Sequence, residues 1–509
     1  MKFLTQELAV ITHGKLYELG HEGMFFRKPP FPDNHKFSLS IDSRTIQSEQ
    51  VFIALQGPYA DGHDYVTQVL QKGARGVIIS NIDRVSNITL QNFEPPLSFI
   101  LQVDDTLQAF QAIARFCRQK HPLPLIGITG SNGKTTVKDM TASILETRYH
   151  VLKSHKSFNN HIGVPLTLVN MDEQHDVAVL EMGMNAAGEL RHLAGIAQPD
   201  IGVVTNVARA HIGFFHSVEA IMQAKMELIQ SLPADGIAVL NADDDLFENM
   251  RRQVPCSLVT FGLSDSAAPP LITARNLVAA HDATYRFDLE TPDGSIAVRL
   301  PLPGRHHVQN ALAATALVYA LHQVDRDPRV KPAKGSCPSI FEAIKHGLEQ
   351  FCPSPMRMQV SMHRNVTIIN DAYNANPSSM AAALLTLKSL MSSGKKVAVL
   401  GDMFELGESS SSAHYEIGKL AAEVPVAKLF LLGDYASNTS QGAQDNGMAA
   451  SDIVIGESHQ ALAQALIRET APGDVILVKA SRGMTMENVL DHYVKLLEKK
   501  RSKVNGIYS

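Results

Sequence analysis

Along the chain, two rhythms of apolar residues recur. Runs such as "LIGIT", "VAVLEM", "IGVVTN", "GIAVLN", "KKVAVLGDM", "AKLFLLGD" and "DVILVKAS" are apolar almost throughout and close on glycine or polar residues. Runs of this length read as strands covered on both faces. Between them lie stretches with apolar residues every third or fourth position, the period of a helix with one buried face. Alternation of these two patterns predicts mostly parallel sheets. Nearer the start, "FSLSIDSRTIQSEQVFIALQG" reads as two short strands around a polar turn, and "YVTQVLQKGARGVII" as a helix passing into a strand.

The punctuation divides the chain into three sections: 1–120, 121–352 and 353–509. The prolines of "HPLP" mark the first boundary and the segment from Pro353 the second. The stretch from Asp325 to Ser339 reads as an exposed polar loop.

One junction carries recognisable chemistry. "LPLIGITG" is a strand and "KTTVKDMTASILETRY" an amphipathic helix, so "GSNGKTT" lies where a strand turns into a helix. Backbone N–H groups and the helix dipole make such a turn an anion site. The usual phosphate loop reads G-x-x-x-x-G-K-[ST], with Lys on the β- and γ-phosphates and the hydroxyl on Mg²⁺. Here Lys134 and Thr135 stand in those places, but the first glycine is displaced: position 128 is Ile, and the glycines are Gly127, Gly130 and Gly133.

Other polar residues gather at the same strand ends, where ligands of open parallel sheets collect. "VAVLEMGMN" ends a strand at Glu181, and His211 follows the strand in "IGVVTNVARAHIG". Carboxylate, imidazole and hydroxyl can share magnesium and phosphate oxygens; a lone loop histidine with an ordinary hydrogen bond is the plainer use of His211. In "SVEAIMQAKMELIQSL", Ser217 suits the N-cap, and Val218, Ile221, Met222, Ile229 and Leu232 form one face. Lys225 falls within that face. Either its stem snorkels to the surface, or the amine points into a polar site and is neutral or chemically changed.

Asn310 lies in the first turns of "LPGRHHVQNALAATALVYAL", fit for a base edge or for helix packing; Arg357 in "MRMQV" suits a phosphate or a surface ion pair. In "INDAYNANPSSM", Asn376 reads as an N-cap before Pro377. Asp371 and Asn374 have no such local use and are site candidates, as are the strand-end residues Asp402, Lys479, Ser481 and Arg482. His306 and His307 lack metal-ligand spacing.

Composition narrows the field. The net charge is −5 with no long basic block, which argues against a nucleic-acid partner. Four scattered cysteines indicate neither zinc nor a disulfide framework. The N-terminus is a poor signal peptide, and no window holds about 18 uninterrupted apolar residues. The expectation is a soluble, monomeric cytoplasmic protein without membrane insertion.

Taken together, "TGSNGKTT" resembles the T-G-[TS]-N-G-K-T-[TS] loop of the Mur ligase family, in which the early glycine is displaced. The likeness continues in order through "SFNNHIGVPLTL", "EMGMNAAGEL", "TNVARAHIGFFHS", "AKMEL", "GRHHVQNALAA", "MRMQ", "DAYNANPSSM", "LGDMFELG" and "VKASRGM". It implies an α/β protein of three domains: an N-terminal UDP-sugar-binding domain, a central P-loop ATPase-like domain with a mostly parallel sheet, and a C-terminal Rossmann-like domain for the incoming amino substrate. It implies ATP on Gly130, Ser131, Asn132, Gly133, Lys134, Thr135 and Thr136, with Asn310 on adenine, Asp371 on ribose and Arg357 on phosphate. Mg²⁺ would be held by Thr135, Glu181, His211 and a carbamylated Lys225. Ser43 and Arg44 of "DSR" resemble part of a UDP-muramoyl site, and Asn374, Asp402, Lys479 and Ser481 are the candidates facing the amino substrate.

"DAYNANP" with "LGDMFELG" is most similar to the family pattern for adding D-alanyl-D-alanine to UDP-N-acetylmuramoyl-tripeptide in peptidoglycan precursor synthesis. The D-N-P-R motif of the diamino-acid-adding ligase is absent from the sequence. The alternatives are that diamino-acid ligase, a folylpolyglutamate-type ligase and a nucleotide-gated ATPase. Two departures stand out: His307 replaces the Asn of G-x-H-N, and the Asp325–Ser339 loop looks long.

Overall fold

Seven stretches in the middle of the chain form neighbouring strands in the order Gly294–Leu300, Tyr285–Thr291, Ile272–Ala279, Ser257–Gly262, Ile237–Asn241, Ile201–Val204 and Leu125–Thr129. The neighbours from Ile272–Ala279 to Leu125–Thr129 pair in parallel. Strands Tyr285–Thr291 and Gly294–Leu300 add an antiparallel extension. Every residue of "LIGIT" and "IAVLN" is buried, as a parallel sheet with both faces covered requires. The extension was not anticipated from the sequence. Its signal is the Asp-Gly pair in "ETPDGS", a hairpin turn between Tyr285–Thr291 and Gly294–Leu300.

The structure is a computed structural model and describes residues 2–20, 23–26, 36–84, 99–209, 213–215, 217–263, 269–280, 284–324 and 339–505. The chain divides into two compact units. One comprises Met1–Leu125, Leu152–Leu180 and His192–Gln198; the other comprises Ile126–Val151, Glu181–Arg191 and Pro199–Ser509.

In the first unit a six-stranded sheet runs Gly23–Phe26, Lys15–Gly20, Phe99–Gln102, Gly76–Ile79, Val51–Ile53, Leu39–Ser40. The two strand-like runs around the "DSR" turn pair in parallel rather than as a hairpin, Leu39 opposite Val51. Phe52, Val69, Leu70, Val77 and Ile79 fill the core beside it.

The second unit carries a further six-stranded sheet, ordered Gln359–His363, Val366–Asp371, Val475–Lys479, Lys396–Gly401, Lys428–Leu432, Ile453–Ile455. Only the edge pair Gln359–His363 and Val366–Asp371 is antiparallel. Apolar clusters cover both faces, one around Leu384, Leu400 and Leu477, the other around Phe430, Ile476 and Tyr493. No helix of the described residues is long and apolar enough to cross a membrane.

Candidate active site

The phosphate-loop sequence lies between strand Leu125–Thr129 and helix Lys134–Leu145. Gly130 and Gly133 explain the unusual glycine spacing. Gly130 has φ 150°, and a Cβ there would stand 1.8 Å from Thr205 Oγ1. Gly133, the N-cap, has φ 81°, and a Cβ there would stand 2.4 Å from Asn310 Oδ1. Neither position accepts a side chain. The loop therefore passes close beside the strand end at Thr205 and the first turns of helix Arg305–Val324.

Its remaining residues are held from outside. The Ser131 N–H donates to the Asn206 carbonyl at 2.9 Å, and the Asn132 N–H to Asn206 Oδ1 at 3.0 Å. Thr205 Oγ1 donates to the Asn132 carbonyl at 2.6 Å. Among the described residues no side chain caps the helix, so its first-turn amides face the loop. The Lys134 ammonium folds back to the Gly130 carbonyl at 2.7 Å. Thr136 is buried in the same turn.

Thr135 and Glu181 meet as the strand-end argument anticipates. The Met182 N–H donates to the Ile128 carbonyl at 2.8 Å, laying the end of strand Val177–Glu181 beside the loop strand. Thr135 Oγ1 then donates to Glu181 Oε2 at 2.7 Å, with both residues buried. Burial lowers the Lys134 pKa; Glu181 and Glu405 act in the opposite direction and Arg357 in the same one. Glu405, with φ 63°, lies in the "LGDMFELG" loop and was not singled out from the sequence.

Lys225 does not reach the surface. Helix Val218–Gln230, capped by Ser217 through the Ala220 N–H, leaves Lys225 only 2% exposed. No hydrogen bond or ion pair reaches its amine from the described residues. Burial first, and then the charge of Lys134, push its pKa well below the usual lysine value. A neutral amine beside a cation can gain a carboxyl group by carbamylation, which turns a repulsive neighbour into an attractive one. His211 lies outside the described residues.

The Arg357 guanidinium stands 4.0 Å over the Tyr373 ring, a cation–π contact that orients its fork. Its neighbours Met356 and Met358 both adopt left-handed backbone, φ 60° and 49°. Such strain in methionines persists only where surrounding structure holds it. The Met358 N–H donates to Asp371 Oδ1 at 3.0 Å, which is part of that hold. Lys479 Nζ donates to Asp371 Oδ2 at 2.6 Å and to the Asn374 carbonyl at 2.8 Å.

Asp402 accepts the Asp434 N–H at 2.7 Å and the Tyr435 N–H at 3.2 Å. Ser481 Oγ accepts the Phe404 N–H at 2.8 Å. Asp402, Lys479 and Ser481 are thus buried and shape strand-end loops, whereas Asn374 is exposed. Asn310 is buried, its amide 3.3 Å from His307 Nδ1. The rings of His306 and His307 lie 4.1 Å apart, and burial pushes the His306 pKa down to about 4.

In the first unit Arg44 is exposed and donates to both carboxylate oxygens of Asp42, at 2.9 and 2.8 Å. Those bonds hold the Asp42 carboxyl down to about 2. Lys72 Nζ donates to the Ser43 carbonyl at 2.8 Å, fixing the turn that presents both residues.

A cavity of about 980 Å³ lies elsewhere in the second unit, lined by Arg209, Glu219, Pro377, Ser412, Glu416 and Lys419 among others. None of the candidate site residues lines it, so the chemistry is assigned to the loop rim.

Three Mur ligase family models match the chain: the Mur ligase family catalytic domain over residues 38–118, the Mur ligase middle domain over 128–318, and the Mur ligase glutamate ligase domain over 356–482. The chain belongs to the Mur ligase family. The UDP-N-acetylmuramoyl-tripeptide–D-alanyl-D-alanine ligase of Bacillus subtilis (strain 168) is 33% identical over 92% of this chain and 95% of its own. That of Escherichia coli (strain K12) is 33% identical over 89% and 92%. Among solved structures, MurF from Acinetobacter baumannii matches with a TM-score of 0.82 at 28% identity, over 97% of this chain and 99% of that one. MurF ligase from Thermotoga maritima in complex with ADP matches with a TM-score of 0.75 at 26% identity, over 91% and 98%. The Mur ligase architecture is accordingly three α/β domains with mostly parallel sheets.

Proposed function

We propose that this Mur ligase joins D-alanyl-D-alanine to UDP-N-acetylmuramoyl-tripeptide, forming an amide bond with ATP as the energy source. The observation that carries the reading is the loop rim itself: Lys134 and the 2.7 Å Thr135–Glu181 pair share one site with the charge of Arg357. The names of the relatives supply the substrate pair, and the ADP of the T. maritima structure supplies the nucleotide.

A carboxylate lacks a leaving group, so it cannot be attacked directly by an amine at neutral pH. The tripeptide carboxylate oxygen attacks the γ-phosphorus of ATP, the bond to the β-phosphate oxygen breaks, and ADP leaves. The D-alanyl-D-alanine amine then attacks the acyl carbon. The carbon–oxygen bond to phosphate breaks, inorganic phosphate leaves, and the nitrogen sheds its proton. Lys134 and Arg357 neutralise charge spreading over the transferred group, and the loop amides position it. Met356, Met358 and Tyr373 hold Arg357 for that task.

The oxygen donors of Thr135 and Glu181 fit magnesium, a hard cation that uses few protein ligands. They would hold it together with His211 and Lys225, the latter as a carbamate. The ion would supply charge neutralisation at the phosphates. Asn310 is assigned to adenine, Asp371 to ribose, and Ser43 with Arg44 to the UDP-muramoyl group. Asn374, Asp402, Lys479 and Ser481 frame the place of the incoming dipeptide. With domain boundaries at 120 and 352, the third domain carries Arg357 and Asp371 for the nucleotide as well as the residues for the dipeptide. A monomer is the assembly proposed, and ATP with a UDP-linked substrate suits the cytoplasm.

The test is ADP release and amide product, scored across amine acceptors. Release should need both UDP-N-acetylmuramoyl-tripeptide and D-alanyl-D-alanine. Free D-alanine should serve poorly, because it lacks contacts to the second residue. Preference for a single diamino acid would replace this reading with the diamino-acid ligase.

A further inference from the structure

Asn376 does more than cap its helix. Its Oδ1 accepts the Ser379 N–H at 2.9 Å, the expected capping bond. Its Nδ2 is free for another use and donates to Asn132 Oδ1 at 2.8 Å. Asn132 Nδ2 donates in turn to Ser378 Oγ at 2.7 Å, and Ser378 Oγ donates back to Asn376 Oδ1 at 2.9 Å. The three side chains close a ring in which each group both gives and receives. Such cyclic arrangements reinforce one another to the extent that they are shielded from water; Asn376 is 8% exposed, and Asn132 and Ser378 are half-buried.

One member of the ring belongs to the phosphate loop. The other two begin helix Pro377–Ser389, in the part of the chain that carries Arg357 and Asp371. Tyr373, the platform beneath Arg357, precedes Asn376 by three residues. Even fully extended, three residues span at most about 11 Å. The short segment between them is pinned further: the Asn374 carbonyl accepts from Lys479, and the Ala375 carbonyl from Ser481 Oγ at 3.3 Å. A displacement at Asn376 therefore passes to Tyr373 and Arg357 with little slack.

We propose that Asn132, Asn376 and Ser378 are positioning residues that lock the phosphate loop to the segment presenting Arg357, so that a nucleotide in the loop also steadies that segment. The inference rests on the nucleotide reading of the loop, but not on the identity of the amine acceptor. None of the three side chains needs to touch the reacting atoms.

Asn376→Ser is the clean perturbation. Serine caps a helix about as well as asparagine, yet its side chain is too short to donate to Asn132. The variant should stay folded, with a melting temperature lowered by at most a few degrees for the lost bond to Asn132, and its KM for the UDP-linked substrate should not change. Its kcat should fall on the order of 10–100-fold, the scale expected when a group is misplaced by about 1 Å. The double variant Asn376→Ser with Arg357→Ala should lose much less than the product of the two single losses, because both remove the same contribution.

Hydrogen exchange supplies a readout independent of ligation. Magnesium-ATP should slow exchange at the Ser378–Met380 amides of the wild type by roughly tenfold, and should do so much less in Asn376→Ser. Protection without amide formation would refute the ligase reading and leave the lock standing. Bound ATP with no protection at those amides, multiplicative losses, or a kcat within about twofold of wild type in folded Asn376→Ser would overturn the lock.

Discussion

Replacing Lys225 with methionine should stabilise the protein and inactivate it at once. Methionine matches the unbranched length of lysine and removes only the amine. That amine sits in a side chain 2% exposed, with no bonding partner among the described residues. A buried polar group without a partner costs about 1–3 kcal/mol. A gain of that size corresponds to roughly 2–12 °C in melting temperature, at about 2–4 °C per kcal/mol for a domain of 150–250 residues. The pH dependence gives a second handle. Burial and Lys134 hold the folded amine's pKa well below the ordinary 10.5. Between those two values the unfolded chain binds the extra proton, so wild-type stability rises with pH. The advantage of Lys225→Met should shrink as pH approaches 10.5.

Thermal unfolding from pH 7 to 10, in carbon-dioxide-free buffer with chelator, measures both effects; coupled ADP release measures activity. Added bicarbonate should raise the wild-type melting temperature, because a carbamate forms only in the folded state, and should leave Lys225→Met unchanged. In Lys225→Ala, excess acetate should restore part of the turnover and bicarbonate none. A Lys225→Met protein that melts no higher at pH 7, or turns over at the wild-type rate, would refute the reasoning.

Two further outcomes are expected. Lys134→Ala should abolish ATP turnover while circular dichroism shows an unchanged fold, since the ammonium serves the phosphates and otherwise contacts loop carbonyls; near-normal turnover in a folded variant would remove the phosphate-loop assignment. The His306 pKa is about 4 in the folded chain against 6.5 ordinarily, so stability present above pH 6.5 is lost as pH falls from 6.5 toward 4. His306→Gln should flatten that part of the denaturant-midpoint profile, and an unchanged slope would show that another group controls it.

The sequence by itself determined those features whose causes are local. Apolar runs bounded by glycine specify buried strands, and a 3.6-residue period specifies the helices between them. Ser217 and Asn376 announce helix starts because a cap is a bond between residues three apart. The strand–glycine–Lys–Thr order puts a glycine turn and its lysine at a helix N-terminus. Tertiary structure decided what depends on residues far apart in the chain. Whether Lys225 snorkels or stays inside depends on what covers its helix, and the same apolar period allows both. Arg357 faces Tyr373 because two methionines accept left-handed backbone, a choice that local propensity disfavours. The parallel pairing of Leu39–Ser40 with Val51–Ile53 contradicts the hairpin that proximity suggests. The Asn132–Asn376 bond joins residues 244 positions apart. Asn376 gives the same N-cap signature with or without it, because the cap uses the amide oxygen and the long-range bond uses the nitrogen.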